Sequence, residues 1–377
     1  MKVGLLCENY YPTLGGEQEH IYHLRRHLEA PCDGSSPVDV RIIVPEVSWD
    51  EWRGPRDDAH VLRPARSLRI SGGGSASQAT LSPRALPALK EIFARERFDL
   101  LHIHAPCDIG LAGWALAAYR GPIVGTLHSY FRPWLLRNAV APWYRYVIRR
   151  MAHVIAVSEA AGQSLSHYAR FPYTVIGNGV DCAAFSCGRP LPRFSDGMTN
   201  ILSVARLEPR NGTDVIIKAF GLLARERDDV RLLLAGDGPR RASYEAQARR
   251  LPARVGRRVV FLGAVWEGRE DLYASAQCFA LGARRTSFSI LLLEALAAGL
   301  KVAALPGDGA DRSGEHWTLV ERAASESPAD YAEALRRALV PSTAADVARA
   351  RAMARRFDWS VIVPRIRGIY DQVLGLN

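Results

Sequence analysis

Short apolar runs alternate with stretches of helical period twice along the chain, and this alternation restricts the fold more than any other feature. Val3-Gly4-Leu5-Leu6-Cys7 opens the first series. A helical stretch over 17–28, an apolar run at 38–44, helical stretches over 84–96 and 108–119, and runs at 99–104, 122–128 and 153–158 follow it. Continuous apolar runs of this length read as strands buried on both faces. Strand–helix–strand succession means a parallel α/β sheet with right-handed crossovers. The second series runs through 201–204, helix 213–225, 231–235, helix 240–251, 259–262, 278–281 and 302–305. Residues 328–356 are expected to be helical. Asp358-Trp359-Ser360 is expected to start a last helix, with Ser360 as cap and Pro364 in its first turn. A chain of 377 residues exceeds one ordinary core, so two domains are expected, and the Pro/Ser/Gly-rich segment 186–198 reads as the linker.

Composition removes several classes. With 48% apolar and 23% charged residues, disorder is not the default. The net charge of +10 admits an anionic partner: nucleic acid, an acidic membrane face or phosphorylated substrates. Lys2, Lys90, Lys218 and Lys301 are the only lysines, so the positive charge is almost all arginine. No nucleic-acid recognition motif accompanies it, and nucleic acid is not an expected partner. The six cysteines form no CxxC pair and have no histidine at metal-ligand spacing. Cys7 and Cys278 lie in strand-like surroundings and read as core residues. The pattern is that of a reduced, cytoplasmic protein. The apolar run at the N-terminus is broken by Glu8, which does not suit a signal peptide, and no run is long enough for a membrane span.

Ligands on parallel sheets bind at the carboxyl ends of strands, where Gly15, Gly16, His104 and His128 fall. The Gly15-Gly16 pair precedes a helix, so backbone can approach a ligand there and the helix N-terminus can receive an anion. A structural turn and a core histidine are the competing readings of Gly15-Gly16 and His104. Residues 46–85 are poor in pattern, and Ser71–Ser77 reads as a flexible loop. Residues 131–152 carry Phe131, Arg132, Trp134, Arg137, Trp143, Tyr144, Arg145, Tyr146, Arg149 and Arg150. Arginine interleaved with aromatics suits either a membrane-surface helix or a basic solvated face with aromatic core anchors. Finally, Thr286-Ser287-Phe288-Ser289 leads into an apolar helix carrying one carboxylate, Glu294, and stopping at Gly299. A loop opening such a helix suits a phosphate.

Motifs spread along nearly the whole chain resemble those of the GT-B glycosyltransferases of family 4, and the phosphatidylinositol mannosyltransferase group in particular. In the first half they are Pro12-Thr13-Leu14-Gly15-Gly16, His102-Ile103-His104-Ala105-Pro106, Gly125-Thr126-Leu127-His128-Ser129, Ile155-Ala156-Val157-Ser158-Glu159 and Asn178-Gly179-Val180-Asp181. In the second they are Ala205-Arg206-Leu207-Glu208-Pro209-Arg210, Ala235-Gly236-Asp237-Gly238-Pro239, Val260-Phe261-Leu262-Gly263, Leu292-Leu293-Glu294-Ala295 and Phe357-Asp358-Trp359-Ser360. The resemblance implies two Rossmann-like domains facing a cleft. Residues 1–182 would hold the acceptor and 183–357 the nucleotide sugar, and 358–377 would form a helix crossing back to the first domain. It implies retaining hexosyl transfer without a metal or other cofactor, to a lipid or small polyol acceptor, for a cytoplasmic protein on an anionic inner membrane face. Arg206 matches the arginine on the donor phosphate, Gly16 the glycine whose N–H meets it, His128 the histidine at the sugar and Glu294 the ribose carboxylate. His104 is a further member of that side. The Asp308/Asp311 pair reads as a loop rather than as a metal motif.

Several positions depart from the family pattern. Thr286 stands where a second glutamate is expected, Ser289 replaces a glycine beside the phosphate, and Asn211 replaces a lysine. Lys301 stands where proline is common, and 306–317 lacks the usual glycine-rich sequence. Loss of one donor to a developing charge costs about 3–4 kcal/mol in comparable sites. One account has Arg210, Arg284 or Arg285 supply the missing cation, and another has a different donor, with fewer negative charges or another sugar geometry. The alternative is a protein that keeps the GT-B fold without catalysis and serves as a nucleotide- or glycan-binding or partner subunit.

Overall fold

A computed structural model describes the chain except residues 12–14, 47–59, 73–74, 130–136, 285, 308–316, 318 and 377. The chain forms two units, one of Met1–Gly179 with Trp359–Asn377 and one of Val180–Asp358.

The first unit contains β1 (Lys2–Leu6), α1 (Gly16–Glu29), β2 (Asp39–Ile43) and β3 (Val61–Leu62). An antiparallel hairpin follows, β4 (Leu68–Gly72) and β5 (Ser75–Ala79), and then α2 (Ala85–Glu96), β6 (Leu100–His104), α3 (Leu111–Ala118) and β7 (Ile123–Leu127). It continues with α4 (Arg137–Arg150), β8 (His153–Ala156), α5 (Glu159–Ser166) and β9 (Thr174–Val175). Its parallel sheet has the order β3-β2-β1-β6-β7-β8-β9. Val3, Leu5 and Leu6 are fully buried, with Leu6 opposite both Ile43 and Ile103. The apolar run is thus enclosed on both faces, as a central parallel strand requires.

The second unit contains α6 (Cys182–Ser186), β10 (Thr199–Val204), α7 (Thr213–Leu223), β11 (Val230–Ala235), α8 (Arg241–Arg249), α9 (Ala253–Gly256) and β12 (Val259–Gly263). After these come α10 (Arg269–Ala274), β13 (Cys278–Leu281), α11 (Ile290–Ala298), β14 (Lys301–Ala304), β15 (Val320–Arg322), α12 (Pro328–Ala338) and α13 (Ala344–Arg355). Its parallel sheet has the order β12-β11-β10-β13-β14-β15, the doubly wound Rossmann pattern. Ile201, Phe220, Leu232, Cys278, Tyr331 and Leu335 lie in its core. The last helix, α14 (Trp359–Leu374), packs on α1 in the first unit, where Trp359 stacks on His23 and His27 at 5.8 and 5.5 Å. Among the described residues no helix is long and apolar enough to cross a membrane. All six cysteines are free thiols, and Cys7 and Cys278 are fully buried.

Several expectations are overturned. Of the small residues 71–77, those described, 71–72 and 75–77, belong to paired strands β4 and β5 rather than to a flexible loop. Gly72 pairs with Ser75, and the backbone N–H of Gln78 donates to Asn9 Oδ1 at 3.2 Å. Small side chains say little about backbone pairing, which holds this ladder. Segment 186–198 is not the linker. Its Arg189 N–H donates to Asp271 and its Leu191 N–H to Ser275, both within the second unit. The chain crosses instead at 179/180 and 358/359. The helical stretch 328–356 is two helices, divided before Thr343, whose side chain forms a capping box with Asp346. Similarly, 240–251 ends at Arg249, and Pro252 precedes a separate short helix. Ser360 is not the cap of the last helix: Trp359 is already helical, and Pro364 lies inside the helix.

Gly236 sets the passage between two strand ends. Its φ is +141°, and a Cβ there would lie 1.9 Å from the Ala205 carbonyl oxygen. Gly236→Ala is therefore expected to destabilise the second unit by about 2–4 kcal/mol. Denaturant unfolding followed on that unit's transition checks this, and an unchanged midpoint contradicts it.

Candidate active site

In the first unit the crossovers leave β1 and β6 in opposite directions, opening a crevice at their carboxyl ends. Gly15 caps α1 there in extended conformation, with Gly16 as the first helical residue. Pro12–Leu14 lie outside the described residues. His104 ends β6 and His128 follows β7. Parallel pairing of these strands brings His104 Nδ1 to 2.9 Å from His128 Nε2, with the rings stacked. His20, one turn into α1, joins them at ring-centroid distances of 5.7 Å from His104 and 5.2 Å from His128. Beneath lies His102, whose ring nitrogens bond Tyr370 and Thr126 at 2.6 Å each. Burial lowers the pKa of all four rings, that of His128 to about 3. They are neutral at physiological pH, and the site carries no imidazolium.

Three carboxylates stand near the same crevice. Burial raises Glu17 to about 8, helped by the negative charges of Asp108 and Glu8. Burial alone raises Asp108 to about 6. Glu8 is raised by burial too, although it accepts from Thr80 and the Leu111 N–H. A protonated Glu17 removes one of the two acidic charges in the first turn of α1, Glu19 being the other, which lessens the repulsion of an incoming phosphate.

In the second unit the switch point lies between β10 and β13. The loop after β10 carries Arg206, Glu208, Arg210 and Asn211. Glu208 is 1% exposed and binds both guanidinium groups, Arg206 at 2.8 Å and Arg210 at 3.4 Å. Two cations on one carboxylate leave net positive charge at the mouth of the strands. Asn211 turns inward, and its amide donates to the Arg206 carbonyl at 2.7 Å. It replaces the expected lysine with a brace for the loop rather than with a charge. Arg284 does not take the lysine's place. Its guanidinium pairs with Glu326 at 3.0 Å and donates to the Pro209 carbonyl. Arg285 lies outside the described residues, as do Asp308 and Asp311.

The loop after β13 packs against the first. The Arg284 N–H donates to the Arg210 carbonyl, and a Cβ on Gly212 would meet the Gly282 carbonyl at 2.3 Å. Thr286, Ser287, Phe288 and Ser289 then lead into α11. Ser289 is the helix cap, its Oγ accepting from the Leu292 N–H at 3.3 Å, so its side chain is turned back on the helix. Phe288 packs on Phe357. Gly299 ends the helix in the left-handed conformation, with φ +86°. Glu294 is 2% exposed, accepts from the Tyr273 hydroxyl at 2.7 Å and pairs with Arg269 at 3.3 Å.

The structure thus groups Gly15, Gly16, His104 and His128 in one unit, and Arg206, Arg210, Asn211, Thr286–Ser289 and Glu294 in the other. Sequence reasoning gave no role to Glu208, Arg269, Tyr273, Glu17 or His20. The spacing Arg206-x-Glu208-x-Arg210 could have suggested a bridging carboxylate. His20, His23 and His27 share one face of α1 by period, a usable signal for His20. Nothing in the local sequence links Tyr273 to Glu294. In the basic aromatic segment, Phe131–Trp134 lie outside the described residues. On α4, Trp143 and Tyr144 pack against the core, and Trp143 donates to the Cys107 carbonyl. Arg145, Tyr146 and Arg149 are exposed.

Comparison with known proteins agrees with this geometry. The profile of Glycosyltransferase Family 4 matches residues 14–184, and that of Glycosyl transferases group 1 matches residues 199–340. The chain is 30% identical to a phosphatidyl-myo-inositol mannosyltransferase of Mycobacterium leprae, over 99% of this chain and 97% of that one. It is 25% identical to an alpha-monoglucosyldiacylglycerol synthase of Streptococcus pneumoniae, over 81% and 71%. Its fold is similar to that of Anabaena HepE solved in complex with UDP, with a TM-score of 0.75 at 18% identity, covering 99% of this chain and 100% of that one. Two parallel-sheet Rossmann-like units of this kind define a GT-B glycosyltransferase. The chain belongs to Glycosyltransferase Family 4.

The raised carboxyls make stability depend on pH. The native state keeps a proton on Glu17 up to about pH 8, whereas an unfolded chain loses it near pH 4.3. Between these values the native state binds more protons, so stability falls as pH rises. The fall in the first unit's melting temperature between pH 5 and pH 8 is expected to shrink in Glu17→Gln. An unchanged slope in calorimetric melts contradicts the assignment.

Proposed function

We propose that the protein is a retaining, metal-independent hexosyltransferase. It moves a hexose from a nucleotide sugar to a hydroxyl of a lipid or small polyol acceptor at the cytoplasmic membrane face. One observation carries this reading: Arg206 and Arg210, held by one buried carboxylate, stand at the Rossmann switch point on a loop bonded to the one that leads into α11. A leaving diphosphate gains negative charge, and cations fixed in advance favour it without reorganisation. Arg210 takes the role of the absent lysine. Glu294 receives the nucleotide ribose, since a carboxylate can accept from two hydroxyls; Tyr273 and Arg269 hold this carboxylate in place. On the first unit, Gly16 offers its N–H to the phosphate, and His128 with His104 meets the sugar as neutral imidazole. In the transfer, the C1–O bond to phosphate breaks and the acceptor oxygen bonds C1 on the same face. The acceptor's proton passes to the departing phosphate oxygen. The names of the mannosyltransferase and glucosyldiacylglycerol synthase relatives support a lipid acceptor.

A second reading, a GT-B protein that binds nucleotide or glycan without turnover, is favoured by two positions. Asn211 is committed to the Arg206 carbonyl, and Thr286 offers a hydroxyl where the family carries a carboxylate.

Calorimetry with a panel of nucleoside diphosphates and nucleotide sugars tests the donor site. Binding is expected, with Arg206→Ala and Arg210→Ala each weakening it about tenfold or more and Arg284→Ala changing it little. No binding at millimolar ligand rejects the enzyme reading and the nucleotide-binding form of the second. Binding with no sugar transfer to any lipid or polyol acceptor supports the second. For the membrane, flotation with anionic liposomes is expected to be salt-sensitive and reduced by Arg145→Glu with Arg149→Glu. Absence of binding at low salt rejects the peripheral assignment.

A further inference from the structure

The crevice of the first unit contains buried polar atoms that its own residues do not satisfy. His20 is 2% exposed, and among the described residues neither of its ring nitrogens has a hydrogen-bond partner. His104 is 1% exposed, and its Nε2 has none either. His102, on the same strand as His104, shows how this interior treats a structural histidine: both its nitrogens are bonded at 2.6 Å. A buried polar atom left without a partner costs about 1–3 kcal/mol, so the orphaned nitrogens of His20 point to a ligand.

We propose that His20, His104 and His128 form a binding site for a zinc-class dication with one open coordination position, and that its occupation inhibits the enzyme. One ligand atom from each of the three rings lies within 4.8 Å of the others. Imidazole ligands about 2.0–2.1 Å from a tetrahedral ion sit about 3.4 Å apart. The His104–His128 pair, at 2.9 Å, is already near this spacing, and a small inward shift of His20 completes it. Histidine ligates as neutral imidazole, through a ring lone pair. Between His104 and His128 the ion takes the place of the shared hydrogen, which moves to the other nitrogen of the ring that carried it, so both rings stay neutral. Three imidazoles suit zinc, cobalt or copper rather than magnesium or calcium, which prefer oxygen. His20 lacks a carbonyl or carboxylate on its far nitrogen among the described residues. The usual support for a ligating histidine is therefore missing, and the site is of the reversible kind rather than a structural zinc.

Metal binding rests only on the first unit's geometry. Inhibition rests in addition on the proposed role of His128 at the sugar, because a metal-bound His128 cannot meet the substrate.

The test is titration of the chelator-treated full chain with Co2+, read by its visible tetrahedral band, followed by displacement with Zn2+. Because Cys32 and Cys187 are exposed thiols, a Cys32→Ser, Cys187→Ser background is run in parallel. One equivalent is expected to bind in both. Affinity is expected to fall at least tenfold in His20→Gln and in His104→Gln, and to be unchanged in the exposed-site control His167→Gln. X-ray absorption of the zinc complex of the unsubstituted protein needs no variant to fold, and three imidazole ligands without sulfur are expected. No stoichiometric binding, sulfur in the shell, or affinity unmoved by the histidine changes overturns the site. Zinc is also expected to inhibit sugar transfer, reversibly with chelator. Binding without inhibition overturns the inhibitory role and leaves the metal site standing.

Discussion

Two neighbouring parallel strands whose crossovers leave toward opposite faces cannot have their carboxyl ends covered by either crossover. This constraint operates twice in the chain, between β1 and β6 and between β10 and β13. The residues assigned to chemistry come from strand ends, from the loops that follow them and from the helices those loops enter. The apolar runs that build the sheets therefore also fix where the polar chemistry falls. At the second switch point the loops are locked by backbone contact, with Gly212 against Gly282 and Gly236 against Ala205. These contacts leave Arg206 little freedom, which a phosphate site made of preset charges needs.

The electrostatics of the two switch points differ. In the second unit, charge is concentrated: two arginines share one buried glutamate, and the excess is positive. In the first, charge is suppressed. Burial keeps the histidines neutral and Glu17 protonated to about pH 8. A cationic cradle suits a diphosphate, and a cluster of neutral imidazoles suits sugar and polyol hydroxyls. The same neutrality leaves imidazole lone pairs exposed to one another, the condition a soft dication exploits.

Much of this was legible in the sequence. Strand and helix succession revealed both sheets, because buried parallel strands read as continuous apolar runs. Gly299 and the loop before α11 were legible because a left-handed stop and a helix start leave local signatures. The hairpin at 68–79 was not, since its stability lies in backbone pairing and in contacts with Asn9, far away in sequence. Segment 186–198 misled because turn-forming residues suit a linker and a folded turn equally. The site was half legible. Arg206, Glu294 and the histidines at strand ends followed from motif and position. Glu208 as a bridge, the Tyr273–Glu294 bond and the inward turn of Asn211 are properties of packing, and no local pattern records them. The substitution of lysine by Asn211 read as a loss, whereas the structure shows it bracing the loop that holds Arg206 and Arg210.

The central claim is that the Arg206–Glu208–Arg210 loop holds the donor diphosphate. The most direct measurement is a crystal structure of the full chain grown with the nucleoside diphosphate it binds. The account places the diphosphate within hydrogen-bond distance of Arg206 and at the N-terminus of α11, with the ribose hydroxyls on Glu294. A diphosphate bound away from Arg206, or a ribose that leaves Glu294 with Tyr273 and Arg269 alone, would contradict it.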